Sequence, residues 1–91
     1  MSDQKGRECV MPAPDAALDA RGLACPLPLL KTKQALATLE SGQLLEVAAS
    51  DQGSWRDIAT FAEHSAHTLV HREQRADGFH FWIRKAESLR P

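Results

Sequence analysis

The 91-residue sequence predicts an α/β protein: a two-layer sandwich in the order β-α-β-α-β-β, with a four-stranded mixed sheet and both helices on one face. Three observations carry this expectation. An apolar run from Ala16 to Ala20 is broken by Gly22 and followed by a helical stretch opened by prolines. Trp55, Ile58, Ala59 and Ala62 repeat at i, i+3, i+4 and i+7, the stripe of an amphipathic helix. Two alternating runs flank Arg75-Ala76-Asp77-Gly78, where Asp-Gly is a hairpin signal because it supports positive φ.

The elements follow in order. Met1 to about Pro14 mixes charges, Gly6, Pro12 and Pro14 without periodicity and reads as a disordered arm (1–14) that contains Cys9. The folded domain is expected over 15–86, with 87–91 a short tail. Ala16 to Ala20 is the first strand. Proline is favoured at the first helical position, so Cys25 is expected as N-cap of a helix from Pro26 to about Glu40, closed by Ser41-Gly42. Leu29, Leu36 and Leu39 share its apolar face, with Ala35 beside them. Gln43 to Ala49 alternates as a strand, and Ser50 to Ser54 supplies turn and capping chemistry before the second helix, which ends near His64. Thr68 to Gln74 and Phe79 to Lys85 form the hairpin. In its second strand Phe79, Phe81 and Ile83 face one way and His80, Trp82 and Arg84 the other, which makes Trp82 a candidate exposed contact for a partner.

Composition narrows the function classes. The 43% apolar and 25% charged residues are globular averages, so the chain is expected to fold. A formal net charge of −1 offers no basic excess for neutralising phosphates, so direct nucleic-acid binding is not expected. No apolar run reaches the roughly 18 residues of a membrane span and the first residues lack a signal-peptide core, giving a cytoplasmic expectation. Cys9 and Cys25 are too few for a disulfide-stapled fold and are read as reduced thiols.

Cys25 is the chemically distinctive residue. A helix N-terminus presents unpaired N–H groups and partial positive charge, and cysteines placed there have pKa values lowered from about 8.5 to roughly 3.5–7.5. With Pro26 at N1 and Pro28 at N3, neither carrying an N–H, Leu27 at N2 is the expected donor to the sulfur, and the prolines hold the turn rigid. Other thiol chemistries fit less well. The position three after Cys25 is Pro28, so there is no Cys-x-x-Cys pair, and nothing places any of His64, His67, His71 or His80 against Cys25 as a base. No metal site is expected: His67 and His71 share a strand face but stand about 13 Å apart. Lys31, Lys33, Arg56, Arg84 and Lys85 read as solvated charges.

The segment Leu18-Asp19-Ala20-Arg21-Gly22-Leu23-Ala24-Cys25-Pro26-Leu27-Pro28 closely resembles the signature of the TusA/SirA-like sulfur-carrier family. The likeness continues through Lys33, the Ser50-Asp51 to Arg56-Asp57-Ile58 segment and Ile83-Arg84-Lys85, spanning about Leu18 to Lys85. It implies the same sandwich and a motif cysteine that accepts sulfane sulfur as a persulfide and hands it on, without another cofactor. It implies a sulfur-donor protein, a cysteine desulfurase or rhodanese-like protein, and a sulfur-acceptor protein. Gly22, Pro26, Leu27 and Pro28 become motif and positioning residues, and Asp19, Lys33 and Arg56 candidate contacts to partner or persulfide. Members that serve tRNA thiolation carry an acidic residue where this chain has Leu27, so the implied role is a general sulfur relay. The alternative is a small RNA-binding or regulatory module on the same fold.

Overall fold

The structure, a computed structural model, describes residues 13–86. Most of the expected N-terminal arm, with Cys9, and the expected tail lie outside the described residues. The elements are β1 (Ala16–Ala20), α1 (Leu27–Ala37), β2 (Leu44–Ala49), α2 (Gly53–Glu63), β3 (Thr68–Arg75) and β4 (Gly78–Arg84). The sheet order is β1-β2-β4-β3. β1 runs parallel to β2, and β4 lies antiparallel to both β2 and β3, so the sheet is mixed as the sequence predicts.

Period-two alternation sends alternate side chains to opposite faces. Leu45, Val47 and Ala49 of β2 and Phe79, Phe81 and Ile83 of β4 join Leu36 of α1 and Ile58 of α2 in one buried cluster, so both helices cover the same face. Trp55, Leu18, Leu29, Ala35 and Leu39 close its rim. α2 owes its seat to Ser54, Ile58 and Ala62, spaced four apart and all buried. α1 buries Pro28, Thr32 and Leu36 at the same spacing. Thr32 can sit fully buried because its hydroxyl donates to the Pro28 carbonyl at 2.8 Å.

Three local expectations are corrected. α1 begins at Leu27 and stops at Ala37, shorter at both ends than the sequence suggests. At its end the Thr38 hydroxyl and N–H both donate to the Ala35 carbonyl, which competes with a further helical turn. The expectation that His67 and His71 share a face fails because β3 slips register between Leu69 and His71. This bulge restores His71 to the side of Trp82, ring centroids 5.4 Å apart, whereas His67 packs on Phe61 of α2. Trp82 is not an exposed partner contact: it is 5% exposed. His71 and His80 lie against its ring and the Arg75 guanidinium sits 5.5 Å from its centroid.

The end of β4 ties back to the first half of the chain. Lys85 exchanges backbone hydrogen bonds with Gly42 and Gln43, and its Nζ donates to the Leu36 carbonyl at 2.6 Å. Arg84 Nη1 donates to the Gly42 carbonyl at 3.0 Å.

Candidate functional site

The loop from β1 to α1 delivers Cys25. Its first residue of note, Gly22, has φ +86, and its N–H donates to Ser50 Oγ at 2.8 Å, which fastens the loop to the end of β2. The Leu23 N–H then returns to the Ala20 carbonyl and the Leu27 N–H to the Ala24 carbonyl at 2.8 Å. The second of these bonds closes a turn around Cys25 and Pro26 before the helix starts. The first bond of α1 runs from the Leu30 N–H to the Pro26 carbonyl, so Pro26, not Cys25, is the N-cap and Pro28 stands at N2. Both prolines thus occupy positions where a missing N–H costs nothing, one place earlier in the helix than their spacing alone implies.

This shift corrects the expected thiol environment. The Leu27 N–H is occupied by Ala24 and does not serve the sulfur. Cys25 is exposed, and its thiol donates to Asp57 Oδ2 of α2 at 2.8 Å. The hydrogen bond to the Asp57 carboxylate, then desolvation, then the charges of Asp57 and Asp51 push the thiol pKa up, with Arg56 pulling weakly the other way. These neighbours favour the thiol form of Cys25 over the thiolate.

The first turn of α2 forms the other wall. A Cβ added at Gly53 would lie 3.6 Å from Cys25 Cβ, 3.7 Å from Sγ and 2.9 Å from Asp51 Oδ2, so the bare backbone of α2 faces the sulfur. Asp51 Oδ2 accepts the Gly53 N–H at 3.0 Å and fixes this approach. Beyond Asp57 opens a groove lined by Leu29, Lys33, Arg56, Thr60, Phe61 and His64. The structure thus brings Lys33 and Arg56 to one groove next to Cys25. Lys33 Nζ sits 5.4 Å from the Phe61 ring centroid.

Asp19 is placed elsewhere. It points to the face of the sheet opposite α1 and α2 and is held by Arg21, whose Nε reaches Oδ1 at 2.9 Å. Arg21 also bridges to Asp77 at 2.9 Å. Asp19 is therefore no contact for a sulfur on Cys25, because alternation along β1 turns it away from α1 and α2. Among the described residues no group of His, Cys, Asp and Glu could hold a metal ion, and no helix is long and apolar enough to cross a membrane.

Sequence reasoning missed Asp57, Asp51 and Gly53 as neighbours of the sulfur. Asp51 and Asp57 fall in the segment that extends the family likeness, which was their one available signal; only folding brings Asp57, 32 positions away, to Cys25.

The profile of the family described as Sulfurtransferase TusA matches residues 16–85. The chain is 45% identical over 71 residues to YrkI of Bacillus subtilis, covering 78% of this chain and 95% of that protein. It is 43% identical over 72 residues to the sulfur carrier protein TusA of Allochromatium vinosum, covering 79% of this chain and 95% of that one. Its identity to the sulfur carrier protein TusA of Pseudomonas putida strain GB-1 is likewise 43% over 72 residues, covering 79% and 90%.

Proposed function

This chain belongs to the sulfurtransferase TusA family and is a sulfur carrier, and we propose that it holds its sulfur as a persulfide on Cys25. The observation that carries this reading is the placement of Cys25: an exposed thiol on a turn fastened at both ends, at the mouth of the cleft between α1 and α2. A relay needs little else. Cys25 first loses its proton to solvent, and the thiolate attacks the outer sulfur of a donor persulfide; the new Cys25 S–S bond forms as the donor's S–S bond breaks, and the donor leaves as a thiolate that is reprotonated from solvent. An acceptor thiolate then attacks the outer sulfur on Cys25, and Cys25 departs as thiolate and is reprotonated. Sulfane sulfur moves without net oxidation, so the sequence of steps requires no metal and no cofactor beyond the covalent persulfide.

A carrier implies a sulfur donor and a sulfur acceptor. The donor we propose is a cysteine desulfurase or a rhodanese-like protein, because both hold sulfur as a cysteine persulfide. Leu27 and Leu30, 42% and 47% exposed on α1 next to Cys25, give a partner an apolar landing, with Lys33 and Arg56 flanking the groove for its acidic residues. A reducing cytoplasm is the compartment proposed for an exposed working thiol.

The test offers the chain a persulfidated cysteine desulfurase and follows intact mass. Wild type and Cys9→Ser are expected to gain one sulfur atom, removable by reductant and localised to the Cys25 peptide. Cys25→Ser is expected to stay folded, since its hydroxyl can still donate to Asp57, and to gain none. Loading of a folded Cys25→Ser protein at the wild-type rate would falsify the assignment.

A further inference from the structure

Resting on the persulfide reading above, we propose that Asp57 is a positioning residue that biases the carrier towards its empty state: its carboxylate accepts the S–H of the unloaded thiol and repels the anion of the loaded persulfide. The geometry sets both halves. Asp57 lies on α2 one helical turn beyond Gly53, half-buried, with Oδ2 2.8 Å from Sγ. An S–H can donate to that oxygen. An outer sulfur bonded to Sγ has no such proton to offer when ionised, and a persulfide's outer S–H is more acidic than the thiol from which it forms.

The surroundings reinforce this asymmetry. Asp51, on the loop entering α2, brings a second carboxylate to the same wall, with its Oδ2 already occupied by the Gly53 N–H. The pKa of the thiol is raised by both carboxylates, and among the cations of the described residues only Arg56 pulls it down, as the weakest of the named influences. Lys33 and His64 line the groove with Asp57, while Arg21 of the cysteine loop is turned away to Asp19 and Asp77. The sulfur is thus held where a negative charge is disfavoured. A carrier built this way gives up its sulfur readily, since reprotonation of Cys25 after transfer restores the Asp57 hydrogen bond. Transfer is drawn forward by the empty state.

The test equilibrates full-length protein in the Cys9→Ser background, with Asp57 intact or as Asp57→Asn or Asp57→Glu, against a fixed mixture of glutathione and glutathione persulfide near neutral pH. Intact mass gives the loaded-to-empty ratio, and iodoacetamide alkylation against pH gives the thiol midpoint of the empty protein. A carboxylate beside a thiol moves its equilibrium by about 1–3 pH units, so Asp57→Asn should raise the loaded-to-empty ratio at least about fivefold and lower the alkylation midpoint by about one unit. Asp57→Glu, which keeps the charge, should stay within about twofold of the parent. A residue that merely props the loop would not shift the alkylation midpoint. Loading of Asp57→Asn equal to or below that of the parent overturns the role of Asp57 and leaves the carrier reading standing. Absence of a sulfur increment on Cys25 in the parent overturns both.

Discussion

Phe81 and Trp82 are neighbours in β4, yet the two faces of the sheet bury them by different means. Phe81 is fully buried under α1 and α2 among Leu45, Val47, Ile58 and Ile83. Trp82 is 5% exposed on the face opposite α1 and α2. Its cover is a layer of polar side chains: His71 and His80 against the ring, Arg75 above it, and Glu73 bonded to both His71 and Arg75. Asp77 then links His80 to Arg21, and Arg21 links to Asp19. One face excludes water with close-packed hydrocarbon, and the other lays the flat faces and stems of charged side chains over one large ring. The difference assigns the faces: the helical side holds the fold and, at its end, the sulfur, while the open side holds an aromatic under an electrostatic lattice.

The largest expected effect separates these two modes. Phe81→Ala removes a fully buried ring from the central cluster and should cost about 3–5 kcal/mol in urea denaturation. Trp82→Ala loses ring contacts that are individually worth about 0.5–1.5 kcal/mol, and its polar neighbours can rehydrate, so a cost of about 1–3 kcal/mol is expected. The Trp82 variant should also keep the wild-type pH profile of Cys25 alkylation. Equal costs for the two substitutions would erase the distinction between the faces.

A smaller effect probes the lattice alone. Hydrogen bonds from the Arg21 side chain and backbone hold the Asp19 pKa down to about 2 from its ordinary 3.8. A carboxylate favoured in the folded state contributes stability above its unfolded pKa and loses it as pH falls through the folded one. The contribution is therefore complete above 3.8 and fades towards about 2. Carboxyl NMR of the folded protein should show Asp19 titrating near about 2, and Asp19→Asn should flatten the acid limb of the stability curve across that window. The pair is exposed, so the change should be slight. A midpoint at the ordinary value would mean that the Arg21 bonds do not persist in water.

Much of this was legible in the sequence, for reasons that differ by residue. Alternation in β2 and β4 and the i, i+3, i+4, i+7 repeat of Trp55, Ile58, Ala59 and Ala62 are direct signatures of buried faces, and they pointed to the sandwich, although Ser54, read as capping chemistry, is also buried on α2. Cys25 was legible because its neighbours are sequence-local: Gly22, Pro26 and Pro28 act within one turn. The contact from Asp57 was not, since a carboxylate on α2 has no local pattern that points to a sulfur on the preceding loop. The helix start was misread by one position because either proline can occupy the first turn. The burial of Trp82 was misread because alternation tells which face a side chain takes, not what lies across it. The bulge beside Val70 depends on pairing with β4, which no single strand encodes.

The knot of bonds at Arg84 and Lys85 has a consequence for how the chain could be shortened. Lys85 holds the Leu36 carbonyl at the end of α1, and its backbone clamps Gly42 and Gln43, so the last residues of the hairpin act as a clasp on the first crossover. A chain cut after Ile83 would keep every core side chain and still lose that clasp. The terminal carbonyls of α1 and the turn into β2 would open to solvent together. The minimal foldable unit is therefore set by a buckle of polar bonds and not by the extent of the hydrocarbon interior.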